Sequence, residues 1–336
     1  MNVVGVVDPA LKPYVNITHL TPTGIQLDLP AYILSNHTDF SRQVSSLLGV
    51  SHDVVATNVS LQPYQTQLEK KRLPGIKNII AVGSGKGGVG KSTVSIQLAL
   101  ALNRLGAKTA VLDADIYGPS VPRMLGLEHS IETQDGQFLP VDCHGLSAIS
   151  IGWLVDPKEP TIWRGPILSR VLMQLFEKTR WPELDFLIVD LPPGTGDIHL
   201  TIAQKVPISG AVIVSTPQAI AMDDAIKAKH MFDKLGITNL GWVKNMSGFI
   251  CDHCASETEI LPTNHQTALS QDNCLGSIPM IPNICYAADN GQLHELDQRV
   301  TDYYTTIAIE MQRALVDSSV VSTQPCWPKV EIQNRR

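Results

Sequence analysis

The sequence predicts an α/β protein: a doubly wound, mostly parallel sheet with helices on both faces, preceded by a small α/β domain. Three observations predict it. From Lys77 onward, short and almost wholly apolar runs alternate with stretches of helical periodicity, the pattern of strands buried on both faces of a parallel sheet. A glycine-rich segment stands between the first of those runs and the first helix, where such folds turn a strand into a helix. Before residue 74 the rhythm differs, with the apolar–polar alternation of a half-exposed strand.

The elements follow in order. Ile25, Leu27 and Leu29 alternate with Gln26 and Asp28, which predicts a strand ended by Pro30. Thr38 offers an N-cap to a helix whose apolar face is Phe40, Val44, Leu47 and Leu48, up to Gly49. Val55, Val59 and Leu61 predict a returning strand, and the polar run Gln62–Lys71, with Pro74 and Gly75 after it, a linker. The runs Ile79–Val82, Thr109–Leu112, Phe186–Val189, Ala211–Val214 and Leu240–Val243 predict the main sheet. Between them lie a helix over Lys91–Leu105, stopped by Gly106, and one over Ala219–Leu235, stopped by Gly236. A last helix carries Val300, Tyr303, Tyr304, Ile307, Met311 and Leu315 on one face, and beyond Val316 the periodicity is lost. The expected organisation is a small domain over 1–73, a large domain over 74–318 and an irregular tail over 319–336.

The 336 residues carry 26 Lys and Arg against 32 Asp and Glu, a net charge of −6, so no global basic field exists to hold nucleic acid. Charged residues at 17% and hydrophobic ones at 43% exclude a largely disordered chain. No apolar run reaches the length of a membrane span, and no basic-then-apolar leader opens the sequence. Six cysteines in this length do not make a disulfide scaffold. The expectation is a cytoplasmic protein with no membrane or nucleic-acid partner and with thiols available as ligands.

Residues Gly85 to Thr93 read GKGGVGKST and fit G-x-x-x-x-G-K-[ST]. Gly85, Gly87, Gly88 and Gly90 let the backbone N–H groups around Val89 turn inward to cradle phosphate oxygens, and the following helix N-terminus favours the same charge. Lys91 is expected on the β/γ-phosphates of a nucleotide, and the Ser92 hydroxyl, with Thr93 beside it, on Mg²⁺. Asp113 and Asp115 follow a strand two residues apart, so both carboxylates can face the phosphates. Asp190 ends the run Phe186–Val189, and a buried carboxylate there is expected to reach Mg²⁺ through water. Leu191–Asp197, LPPGTGD, reads as a switch stiffened by prolines and turned by glycines. Asn245 closes the strand Leu240–Val243, where its amide can read an adenine edge or form a turn. None of the ten histidines is placed to be a base.

Cys251-Asp-His-Cys254 puts two thiolates within reach of one soft metal, and two more ligands must come from the same chain or from a second copy. Such thiolates suit a 4Fe–4S cluster or Zn²⁺. His265 and Cys274 are the candidates for a site within one chain; Cys143, Cys285 and Cys326 stand singly.

The second lysine of the loop, Lys86, makes GKGGVGKS resemble the deviant phosphate loop of the MinD/ParA/nitrogenase-iron-protein class. That resemblance implies an ATP-hydrolysing homodimer, with Lys86 contacting the nucleotide across the interface, Asp115 on the attacking water, Asp113 near Mg²⁺ and Asn245 on the base. GSGKGGVGKST, DADIYGPS (Asp113–Ser120), WRGP (Trp163–Pro166), LDFLIVDLPPGTGD (Leu184–Asp197), VKNMSGFICDHC (Val243–Cys254) and LGSIP (Leu275–Pro279) resemble the Mrp/ApbC family of P-loop ATPases over most of residues 75–296. The family resemblance implies a carrier that holds a 4Fe–4S cluster, or Zn²⁺ in its place, between the Cys251 and Cys254 pairs of two copies. A cluster donor would load it and apo iron–sulfur proteins would receive the cluster. Two features depart from the family pattern: Pro30–Ser35 holds no cysteine, and Leu261–Gln266 replaces a Gly-Gly element. The competing readings are a MinD/ParA-like positioning ATPase and a zinc-stabilised dimeric ATPase without cluster transfer.

Overall fold

The computed structural model describes residues 16–21, 24–28, 53–56, 73–116, 118–127, 131–154, 165–194, 196–250, 254, 256–259, 269 and 273–322. The first strands form a sheet of their own: β1 (Asn16–Thr21) and β2 (Gly24–Asp28) pair antiparallel, and β3 (Asp53–Ala56) runs parallel to β2. β2 falls where alternation predicts a strand, and β3 contains Val55 of the expected returning strand, whose Val59 and Leu61 lie outside the described residues. β1 was not expected, and its register shift between Ile17 and His19 explains why: a bulge breaks the two-residue period that sequence reading relies on. The expected helix after Thr38, the 62–71 linker and the irregular tail past residue 322 lie outside the described residues.

The large sheet is built from β4 (Ile76–Gly83), β5 (Thr109–Asp113), β8 (Val141–Cys143), β9 (Leu146–Ser150), β10 (Leu184–Asp190), β11 (Gly210–Ser215), β12 (Asn239–Ile250), β13 (Glu257–Thr258) and β14 (Cys274–Met280), while β6 (Glu132–Gln134) and β7 (Gln137–Leu139) make a separate hairpin. Its order is β13-β12-β11-β4-β10-β5-β9-β8, with β14 also on β12; only β8 and β13 run antiparallel to their neighbours. β4 is central, and the chain leaves it first toward β5 and later returns to its other flank at β11. That reversal opens a crevice at the carboxyl ends of the strands beside β4.

Helices cover both faces. α1 (Lys91–Arg104) lies between the sheet and the long C-terminal helix, with α2 (Val121–Met124) near its start; α3 (Gly165–Lys178), α4 (Asp197–Lys205) and α5 (Ala219–Lys234) cover the opposite face; α6 (Pro282–Asp289) and α7 (Gln298–Ser322) complete the first. One core layer centres on Leu98, Leu102, Tyr304 and Ile307, the other on Leu172, Phe176, Ile202 and Phe232. α1 is buried nearly all round, which is why Val94–Leu102 reads as an apolar run broken only by Ser95 and Gln97. Its Gln97 is accommodated because Nε2 donates to the Leu293 carbonyl at 2.5 Å.

All five apolar runs of the expected sheet are strands. β9, β14 and α3 were not foreseen as elements. Ser147 and Ser150 interrupt β9, and β14 contains Gly276 and Pro279, tolerated on a strand that pairs only with β12 among the described residues. α3 opens on Gly165-Pro166, a dipeptide that reads as a turn but that suits a helix start. α7 runs on to Ser322, past the boundary expected at 318, because no Gly or Pro intervenes before Pro325.

α7 approaches the sheet edge through a glycine: a Cβ on Gly276 would stand 2.7 Å from Cγ1 of Ile307. Gly276→Val is therefore expected to cost about 1–3 kcal/mol by overpacking. Thermal unfolding checks this, and an unchanged melting temperature contradicts it.

Candidate nucleotide site

The register of the parallel strands assembles the site. Asp190 on β10 lies beside Asp113 on β5, and Asp113 beside Ser150 on β9, one row along the carboxyl edge. Both carboxylates are fully buried, at 0% exposure. Charge of one sign in that position needs compensation. It comes from the loop between β4 and α1: Lys91, its side chain only 6% exposed, places Nζ 2.8 Å from Asp190 Oδ1 and 3.5 Å from Asp115 Oδ2. The Ser92 hydroxyl donates to Asp190 Oδ2 at 2.6 Å, and Ser95 Oγ lies 2.8 Å from Asp190 Oδ1 and 3.0 Å from the Lys91 carbonyl. Asp113 accepts the Asp115 N–H at 3.1 Å, the Ser150 hydroxyl at 2.9 Å and the Val121 N–H at 3.4 Å. Burial, and after it the Asp190 charge, push the Asp113 carboxyl up to about 8 against those hydrogen bonds and Lys91.

The phosphate loop is shaped by its neighbours. Gly88 and Gly90 have φ of 80° and 83°, left-handed values open to glycine, and Gly90 caps a helix with no acidic residue in its first turn. A Cβ on Gly85 would fall on the backbone of Asp224 in α5, and one on Gly90 on the Asn245 amide. Lys86, Gly87 and Gly88 are exposed at the rim. The switch segment is tied to the same loop: Leu191 N–H donates to the Val82 carbonyl at 3.1 Å and Gly194 N–H to the Ser84 carbonyl at 3.0 Å.

Lys91, Ser92, Asp113, Asp115 and Asp190 are thus brought together, and Gly85, Gly87, Gly88, Val89, Gly90 and Thr93 frame them. Asn245 does not close its strand: β12 continues to Ile250, through a left-handed Met246 (φ 55°), and is held there by β13 and β14. Its Nδ2 donates to the Val89 carbonyl at 2.8 Å, so the amide rests on the phosphate loop. Hydroxyl and carboxylate oxygens converging at Ser92 and Asp190 are a hard donor set that fits Mg²⁺, which keeps most of its water shell and needs few protein ligands.

In the sequence the cysteine motif falls between the paired residues Ile250↔Glu257 of β12 and β13. Cys254 is exposed, with Sγ 2.9 Å from the Ser256 hydroxyl; Cys251, His253 and His265 lie outside the described residues. Among the described residues no group of three or more His, Cys, Asp or Glu could hold a metal ion. Cys274 pairs with Trp242 near the start of β12, six residues of β14 before Met280 reaches Phe249. Partial burial, and after it the Asp142 charge, raise the half-buried Cys143 thiol to about 11, which disfavours the thiolate.

One functional candidate was missed. His199 on α4 is 3% exposed, with Nε2 3.0 Å from the Pro192 carbonyl of the switch. Its sequence position, outside every recognised motif, gives no signal.

A doubly wound sheet whose central strand feeds a lysine-bearing phosphate loop into a buried row of carboxylates defines a P-loop NTPase. Residues 75–312 match the ParA family model described as "NUBPL iron-transfer P-loop NTPase", and the chain belongs to that family. It is similar to the iron-sulfur cluster carrier protein of Pseudomonas fragi, 42% identical over 281 residues that span 82% of this chain and 96% of the relative. The carrier protein of Escherichia coli K12 is 49% identical over 222 residues, 65% of this chain and 60% of its own length. Among solved structures, a nucleotide-binding protein from Archaeoglobus fulgidus in complex with ADP superposes with a TM-score of 0.59 at 34% identity, over 69% of this chain and 94% of that one. Pyrococcus furiosus MinD, at 21% identity and a TM-score of 0.52 over 70% of this chain and 98% of that one, shares the fold.

Two outcomes follow from the geometry. Gly85→Ala forces the loop away from α5, so nucleotide affinity is expected to fall about tenfold or more while circular dichroism stays unchanged, a misplacement effect at the phosphates; unaltered affinity by calorimetry contradicts it. Asp113 keeps its proton up to about 8 when folded and loses it near 3.8 when unfolded, so its contribution is complete below 3.8 and is lost as pH rises toward 8. Asp113→Asn cannot ionise, and its melting temperature relative to the parent is expected to climb from pH 4 to pH 8; a difference independent of pH contradicts this.

Proposed function

We propose that the chain is a Mg²⁺-dependent ATPase that carries a 4Fe–4S cluster as cargo between the Cys251 and Cys254 pairs of two copies, accepts it from a cluster donor and passes it to apo iron–sulfur proteins. The observation that carries the reading is the path of β12. Its Asn245 amide rests on Val89 of the phosphate loop, and the same strand ends at Ile250, one residue before Cys251. A displacement of the loop by nucleotide therefore bears on the strand that presents the thiols, which is the differential contact that coupling between two sites requires. The shared name of the relatives, iron-sulfur cluster carrier protein, supports the cargo.

In this reading the N–H groups of the glycine loop bind the phosphates and Lys91 neutralises their charge. Ser92 and Asp190 would hold Mg²⁺, with Asp113 beside them, and the ion supplies further charge neutralisation at the phosphoryl group. Asp115, beside Lys91, orients the attacking water. Phosphoryl transfer needs positioning and charge compensation rather than a covalent nucleophile, and these residues supply both. Asn245 reads the base.

The dimer draws support from the edge that would form it. Lys86 is exposed there, and Ile167, Leu200 and Ile220, exposed apolar residues, sit in the first turns of α3, α4 and α5, whose starts open on the same carboxyl edge. Among the described residues no helix is long and apolar enough to cross a membrane. Residues 1–73 would form a separate small domain, and 74–318 the ATPase domain.

Anaerobic reconstitution tests the cargo. The parent is expected to bind about four iron and four sulfide per dimer, and Cys251→Ala or Cys254→Ala to lose nearly all of both. Equal iron and sulfide in parent and variants, or zinc alone after anaerobic purification, overturns the reading. Loss of Lys86, which would act across the interface, in Lys86→Ala is expected to lower ATP turnover about a thousandfold, as loss of a charge stabilising phosphoryl transfer does; turnover equal to the parent removes the dimer mechanism.

A further inference from the structure

The switch that follows Asp190 contains Pro192-Pro193, two residues that bring carbonyls and no N–H groups. Leu191 and Pro192 are buried, so the Pro192 carbonyl needs a donor from the protein. His199, one turn into α4, provides it: Nε2 lies 3.0 Å from that oxygen, and a carbonyl can only accept, which places the ring proton on Nε2. Nδ1 then carries a lone pair, and among the described residues it has no hydrogen-bond partner. A second proton would sit there with no acceptor. Burial, with the Lys91 charge added to it, accordingly holds the ring below its ordinary value, outweighing the Pro192 and Gly196 carbonyls. The imidazole is therefore a fixed neutral donor rather than an acid or base.

What it holds leads to the phosphate loop. Leu191 N–H is tied to Val82 at the end of β4, Pro192 to His199, and Gly194 N–H, at a left-handed φ of 92°, to the Ser84 carbonyl where β4 enters the loop; the Ser84 hydroxyl in turn donates to the Lys86 carbonyl at 3.0 Å. With Pro193 unable to donate, the His199 bond is what anchors the segment between the Leu191 and Gly194 ties.

We propose that His199 is a positioning residue for ATP hydrolysis: its Nε2–H on the Pro192 carbonyl sets the turn that places the Gly194 N–H against the phosphate loop. The proposal rests on the ATPase reading above.

Two polar substitutions of different reach test it. His199→Gln carries an N–H at the place of Nε2, whereas the amide of His199→Asn ends where Nδ1 stands, too short for Pro192. At saturating ATP, His199→Gln is expected to keep at least about half the parental kcat and His199→Asn to lose about tenfold, with KM for ATP within about twofold in both, since the phosphate cradle is untouched. A helix residue of structural importance only would lower the melting temperature without separating kcat from KM. Equal kcat in the two variants overturns the proposal. Hydrogen exchange is the second readout: slow exchange of the Gly194 amide in parent and His199→Gln and fast exchange in His199→Asn support it, and equal exchange in all three overturns it. Should His199→Asn fail to fold, His199→Gln decides alone, with kcat below about a third of the parent overturning the proposal and a higher value supporting it. A parent chain that hydrolyses no ATP refutes the ATPase reading instead, and hydrogen exchange still decides whether His199 holds the switch.

Discussion

Two carboxyl groups stand side by side in the interior, and an ammonium group holds the charge of one of them, Asp190. Asp113 and Asp190 are neighbours because β5 and β10 are parallel and in register, and neither touches solvent. Lys91 answers that charge at 2.8 Å from Asp190, and it can do so only because the loop behind it turns through left-handed glycines and enters α1 at that lysine. Ser92 and Ser95 take up remaining lone pairs of Asp190, and Ser150 one of Asp113. A site built this way favours any additional positive charge and orients the lysine before a phosphate arrives, which is the preorganisation that electrostatic catalysis requires.

Most other functional features are tied to that cluster through the backbone. The loop is pinned to α5 at Gly85, to the switch at Ser84 and to β12 at Val89. β12 is long because its far half is paired on two sides, by β13 and β14, and this carries its direction past the nucleotide site to the cysteine loop. One edge of one sheet thus holds the phosphate cradle and the switch, and β12 ends at Ile250, one residue before Cys251 in the sequence. Lys86 and the apolar side chains of three helix starts are exposed on that edge, where the proposed second copy would dock.

Much of this was legible in the sequence, and the limits were physical. Strands buried on both faces announce themselves as apolar runs, and the phosphate loop is local, so its glycines, Lys91 and Ser92 are fixed by spacing alone. The partnership of Lys91 with Asp190 spans 99 residues and comes from strand register, which the sequence implies only once the order of strands is known. Serine-interrupted β9 and proline-containing β14 carry weak periodicity and escaped notice. Asn245 was identified, yet its contact with Val89 and the continuation of its strand depended on pairing with later segments. His199 belongs to no motif, and its role follows from a proline-rich turn that lacks donors of its own.

Coupling between the lysine–carboxylate cluster and the thiol loop is the central claim, and cluster release measures it. A reconstituted parent chain mixed with an iron chelator should lose its cluster at a rate that Mg²⁺–ATP changes about fivefold or more, the lower range of allosteric coupling, while Lys91→Met should release at one rate with or without nucleotide. Release from the parent that is indifferent to Mg²⁺–ATP would contradict the account.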